Sequence, residues 1–120
     1  MEITVQKEDI VSALNTTLGV VEKRQTLPIL ANVLFEVEDN VFKLTATDLE
    51  SEVTTSGPLS SIESAGKTTT SAKKLNELCR LIPDGEEINL SLSGDKLNIK
   101  TTNGKYSLST LPSSDFPIFD

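Results

Sequence analysis

The chain has 120 residues, enough for one domain with a single core, since typical domains run to roughly 100–150 residues. It contains no histidine, no tryptophan and one cysteine, Cys79, which excludes Ser-His-Asp and Cys-His catalysis, an internal disulfide and the commonest zinc ligand. Eighteen acids against 11 bases give a net charge of −7, which taken alone argues against a nucleic-acid binder.

Ile3 and Val5 alternate with polar neighbours and predict a short opening strand. From Lys7 to Val21 the period becomes helical, with Ile10, Leu14, Leu18 and Val21 on one face and Val11 and Ala13 widening it. Glu8 and Asp9 occupy its first turn, where the helix dipole favours anions, and Gly19 marks where the helix loosens. Glu22 to Pro28 reads as irregular, because Pro28 disfavours helix before it. Two strands follow, Val33 to Glu38 and Val41 to Ala46, joined at Asp39-Asn40, a pair that tolerates left-handed backbone. A third strand is expected over Glu52 to Thr55, a loop from Gly57 through Gly66, and a Thr-rich strand over Lys67 to Thr70.

The second helix is expected from Ala72 to Ile82, with Ala72, Leu75, Leu78, Cys79 and Ile82 as its buried stripe and Ser71 or Thr70 as N-cap. Pro83 stops it. A three-strand meander closes the chain: Ile88-Leu90-Leu92, Leu97-Ile99 and Tyr106-Leu108, with Asn103-Gly104 as the strongest hairpin signal. The predicted order is β-α-β-β-β-β-α-β-β-β, an α+β domain over residues 1–120 with two helices packed on antiparallel sheet.

No run approaches the roughly 18 apolar residues of a membrane helix, and the glycines are too scattered for a phosphate loop. The expectation is a cytoplasmic protein with no membrane association, no catalytic residues, no metal and no cofactor. Asp48, Glu50 and Glu52 share one side of an extended segment, and Asp84, Glu86 and Glu87 share a turn. Both sets read as solvated carboxylates, lacking the ligand number and turning glycine of a calcium loop. Cys79 reads as a buried structural thiol. The second helix is more informative. Lys73, Asn76, Glu77 and Arg80 share its polar face and Lys74 is adjacent, so two lysines oppose the dipole in the first turn, at a cost an anionic partner would offset. Beyond the first turn, where Glu8 and Asp9 sit, the polar side of the first helix, Ser12, Asn15 and Thr16, carries no acid, and Lys23-Arg24 follow it. The strand from Lys105 to Leu111 ends the meander, and as an edge strand it would template pairing with another domain or subunit. An interaction module with no nucleic-acid role and an enzyme using Asp48 and Glu50 with a divalent metal stay open at this point.

Three separated stretches carry a resemblance: Thr26-Leu27-Pro28-Ile29-Leu30, Thr45-Ala46-Thr47-Asp48-Leu49-Glu50, and Ser107 to Pro112 with Asp115-Phe116-Pro117. In that order they resemble the first domain of the bacterial DNA polymerase III beta subunit family, the replicative sliding clamps, along the whole chain. The resemblance implies the DNA-clamp fold and a function without bond chemistry. Three such domains in tandem make a subunit, and two subunits close head to tail into a ring around duplex DNA. The implied partners are that DNA, bound weakly and without sequence preference, a second subunit as homodimer, the polymerase alpha subunit and the clamp loader. It places DNA contacts at Arg24 and Lys73, with Lys74 and Arg80 as further candidates. It places the subunit interface at Tyr106 and Leu108, with Lys96 and Lys105 facing acids on the partner. Lys73 stands where arginine is frequent and loses the bidentate fork; Tyr106 stands for Phe, and Asn103 where the family often has arginine. By the same resemblance a chain ending at Asp120 is a first domain alone, unable to close a ring in the usual way.

Overall fold

The computed structural model describes residues 1–21 and 27–117. Its elements follow the expected order with one strand, β5, added: β1 (Glu2–Gln6), α1 (Lys7–Leu18), β2 (Asn32–Glu38), β3 (Val41–Thr47), β4 (Glu52–Pro58), β5 (Ser61–Ser64), β6 (Gly66–Ser71), α2 (Ala72–Arg80), β7 (Glu87–Ser93), β8 (Lys96–Lys100) and β9 (Lys105–Leu111). All pairings are antiparallel, and the strands run β4-β3-β2-β6-β9-β8-β7-β1-β5.

The helices touch each other and lie on the strands, α1 against β1, β3 and β4 and α2 against β2, β6 and β9. Between helices and sheet sits one core. Ile10, Ala13 and Leu14 of α1 and Leu75 and Cys79 of α2 meet Val33, Phe35, Phe42 and Leu44, and the inward residues Ile88, Leu90, Leu97 and Ile99 extend it. The alternation of buried and open residues along β2, β7 and β8 is the period of 2 seen in the sequence. Asp39 and Asn40 both have positive φ, 52° and 65°, as a two-residue hairpin turn of matching twist requires.

One added strand and three boundaries differ from expectation. The stretch read as a loop carries β5, an edge strand paired with β1, and β4 continues through Gly57 and Pro58. Pro58 is tolerated because β4 is itself an edge. In β5 only Ile62 is drawn toward the core, so no apolar alternation betrays the strand. Both helices are shorter than their apolar stripes: α1 ends at Leu18 with Gly19 as cap, and α2 at Arg80 while Ile82 still reaches the core. Ser71 is the N-cap of α2, its Oγ accepting the Lys74 N–H at 3.2 Å.

Candidate nucleic-acid interface and subunit edge

The start of α2 is fixed by the Ser71 cap and by Ala72 and Leu75, both wholly buried. That anchoring leaves Lys73, Lys74, Glu77 and Arg80 exposed. At about 100° per residue, Lys73, Glu77 and Arg80 fall on one line along the helix. Arg80 Nη2 donates to Asn15 Oδ1 at 2.6 Å, so this line abuts the polar side of α1, where Ser12, Asn15 and Thr16 are also exposed. The two helices therefore share one polar surface, on which α2 contributes two cations, Lys73 and Arg80, against the single carboxylate of Glu77. Lys74 stands apart, on the flank of α2 turned away from α1, beside half-buried Leu78 and Leu81, which is 71% exposed. Asn76 does not belong to the open face: it is half-buried, and its Oδ1 finds no hydrogen-bond partner among the described residues. Arg24, the other expected DNA contact, lies outside the described residues.

The second assembly is the β8–β9 hairpin. Tyr106 and Leu108 stand opposite Ile99 and Leu97 and turn half-buried toward the core, while Lys105, Ser107 and Ser109 face outward. Lys96 Nζ donates to Ser109 Oγ at 3.0 Å, and Lys105 lies directly across from Lys100, a like-charge pair that costs stability unless an anion approaches. Lys100 was not singled out from sequence, because only the register puts it beside Lys105. β9 passes from one half of the sheet to the other. Its first part pairs with β8, and only Thr110 and Leu111 pair with β6. Among the described residues the side of β9 away from β8 is unpaired from Lys105 to Leu108, because the ladder with β6 ends where that strand turns into α2. This is an open strand edge, with cations on one face and apolar side chains on the other.

One member of each carboxylate set, Asp48 and Asp84, makes structural contacts. Asp48 Oδ1 accepts from the backbone N–H groups of Ser51 (2.7 Å) and Glu50 (2.9 Å) and from Ser51 Oγ (3.0 Å). Those hydrogen bonds, that of the Ser51 N–H foremost, hold its carboxyl below the usual range and close a turn in which Leu49 takes a positive φ of 76°. Asp84 pairs with Lys7, and Glu8 accepts from the Gly85 N–H, tying the start of α1 to the turn after α2. Among the described residues no three His, Cys, Asp or Glu side chains are grouped to hold a metal ion. On the outer sheet face a cleft of about 240 Å³ contains Glu36 and Lys43, which pair across the strands at 3.5 Å. Cys79 is wholly buried, and loss of hydration pushes its thiol up to about 12.

Residues 1–120 match the family described as DNA polymerase III beta subunit, N-terminal domain. Proteins named beta sliding clamp are similar along the chain. That of Salmonella typhimurium is 41% identical and that of Escherichia coli K12 39% identical over 120 residues, covering 100% of this chain and 33% of each relative. One from Vibrio harveyi is 38% identical over 117 residues, covering 98% of this chain and 81% of that sequence. Among solved structures, DNA polymerase III subunit beta from Pseudomonas aeruginosa superposes with a TM-score of 0.94 at 38% identity, over 100% of this chain and 32% of that one. The DNA polymerase sliding clamp from Caulobacter crescentus gives 0.95 at 36% identity, over 100% and 33%. The chain thus spans about a third of the length of most relatives it matches. A full-length match in sequence and a superposition that includes both helices and the open β9 edge lead to one conclusion: the chain belongs to the N-terminal domain family of the DNA polymerase III beta subunit, the bacterial sliding clamps.

Proposed function

We propose that this domain is one sector of a ring that encircles duplex DNA and keeps the replicative polymerase on its template, with no bond chemistry and no cofactor of its own. The observation that carries the reading is the superposition along the whole chain on sliding clamps. Within it, the shared polar surface of α1 and α2 faces the DNA. Lys73 and Arg80, with Arg24 from the segment after α1 and Lys74 at the flank, supply the phosphate contacts. Such contacts position a duplex without reading its sequence, and a few exposed cations give weak, salt-sensitive attraction. Weakness suits the task. A ring retains DNA by topology and must slide, so tight phosphate binding would act as a brake.

The β9 edge is the subunit contact in this reading. Tyr106 and Leu108 supply its apolar part, and Lys96 and Lys105 meet carboxylates of the second subunit of a homodimer. The polymerase alpha subunit and the clamp loader are the protein partners, and the cytoplasm is the compartment. The test loads the full-length protein onto nicked circular DNA with a clamp loader and then linearises the circle. Protein that stays on circles and runs off linear DNA with free ends supports the ring. Equal retention on both forms overturns it. Arg24→Ala and Lys73→Ala are expected to lower loading without lowering the melting temperature.

A further inference from the structure

The open edge of β9 lies where β9 passes from one half of the sheet to the other, and side chains reinforce the short ladder that holds it there. The ladder between β6 and β9 has two pairs, Thr69 with Leu111 and Thr70 with Thr110. One residue beyond it, the Ser109 carbonyl accepts from Thr70 Oγ1 at 2.9 Å, and at the other end the Leu111 carbonyl accepts from Thr69 Oγ1 at 2.8 Å. Asn32 Nδ2 of β2 donates to Thr69 Oγ1 at 3.1 Å, so the seam is braced from the next strand as well. Thr69 and Thr70 are wholly buried and Asn32 nearly so. Thr110 N–H points the other way, to the Asp95 carbonyl at 3.0 Å. By the alternation of a strand, Ser107 and Lys105 therefore turn their backbone groups to the same side as Ser109, along the open edge.

We propose that Thr70, backed by the Asn32–Thr69 relay, is a positioning residue for the subunit contact. Its hydroxyl fixes the Ser109 carbonyl and so sets the direction in which Lys105 to Leu108 leave the sheet to pair with a second subunit. The inference rests on the reading of β9 as the subunit edge. A buried hydroxyl is needed because the strand that would otherwise continue the ladder becomes α2 after Ser71. Valine at position 70 keeps the shape and the β-branch but removes the side-chain donor from the carbonyl. In the full-length protein, Thr70→Val is expected to weaken subunit association about tenfold, the effect of one lost buried hydrogen bond. Amide exchange should rise at Lys105 and Ser107, whose N–H groups lie along the open edge, and stay unchanged in β1 and β7, and Thr70→Ser should restore both measurements. Unchanged association with Thr70→Val overturns the proposal, whatever exchange does. So does exchange that rises equally in β1, β7 and β9, which marks a merely structural role. Leu108→Asp is the separate control: if it leaves association intact, the reading of β9 as the subunit edge fails on its own account.

Discussion

Gly57 is held as glycine by an aromatic ring, and one methyl group tests how closely the sheet is packed beneath α1. Gly57 of β4 pairs with Phe42 of β3, and a Cβ at position 57 would lie 2.5 Å from Phe42 Cζ and 2.6 Å from Cε1. Carbon atoms in contact stay about 3.5 Å apart, so the overlap is about 1 Å. The ring has little room to retreat, being wholly buried and stacked on Phe35 with centroids 5.9 Å apart and planes at 19°. Two effects oppose each other in Gly57→Ala. Restricting the unfolded chain favours the variant by about 0.4–1 kcal/mol, and forcing the ring from its site costs about 1–3 kcal/mol. The clash wins, and the melting temperature falls by roughly 4–8 °C if the net is near 1–2 kcal/mol in a domain of this size. Phe42→Leu removes the atoms that clash and costs about 1–2 kcal/mol by the void it leaves. In that background Gly57→Ala is neutral or stabilising, which gives the pair a coupling of about 1–3 kcal/mol in a double-mutant cycle. Urea unfolding followed by circular dichroism measures all four proteins. A cost for Gly57→Ala below about 0.5 kcal/mol, or one of equal size in both backgrounds, refutes the packing argument.

Cys79 is expected to resist alkylation at pH 8 in the folded protein and to react at the rate of unfolding, since burial pushes its thiol up to about 12; rapid native-state labelling contradicts this. Asp48 has a folded pKa below the 3.8 of an ordinary aspartate, so its contribution to stability is full above that value and is lost as pH falls through the lower folded one. Asp48→Ala should therefore flatten the acid limb of stability against pH, and an Asp48 carboxyl that titrates at or above 3.8 by NMR removes the basis for this. The 120-residue chain by itself is expected to bind duplex DNA more weakly than about 10⁻⁵ M at physiological salt, and a tight, salt-resistant complex in a fluorescence titration would count against the sliding reading.

What the sequence disclosed follows from which interactions are local. Asp39-Asn40 was legible because both residues take the left-handed backbone that the turn needs, and Ser71 because an N-cap acts within three residues. Asn103-Gly104 marked the right hairpin with the wrong turn. Neither residue has positive φ, and the loop spans 101–104, where Thr101 and Gly104 bond backbone to backbone at 2.9 Å. Glycine at 104 leaves room for the Tyr106 hydroxyl, which a Cβ there would meet at 3.1 Å. β5 escaped notice because an edge strand can be held by backbone pairing to β1 with one apolar anchor. In the candidate site, helical spacing put Lys73, Glu77 and Arg80 together correctly. It could not show that Asn76 turns its oxygen inward, since that depends on what packs beside the helix. Arg80 with Asn15 and Thr70 with Ser109 are contacts across 65 and 39 residues, for which no local pattern exists.

Net charge and local charge also separate here, for a structural reason. Several carboxylates are occupied at the ends and outer face of the domain: Glu8 at the Gly85 amide, Asp84 with Lys7, Asp48 within its own turn, and Glu36 with Lys43 on the outer sheet. On the open side of α2 the balance reverses, with Lys73, Lys74 and Arg80 against Glu77. Charges more than about 8 Å apart are largely screened from one another at physiological salt, so a phosphate near Lys73 responds to that face and hardly to the outer sheet. The domain as a whole still repels a polyanion at long range. Together these give short-range attraction on one face without long-range capture. In the proposed ring that combination leaves retention to the closed subunit edges at β9, and lets the DNA move past the helices.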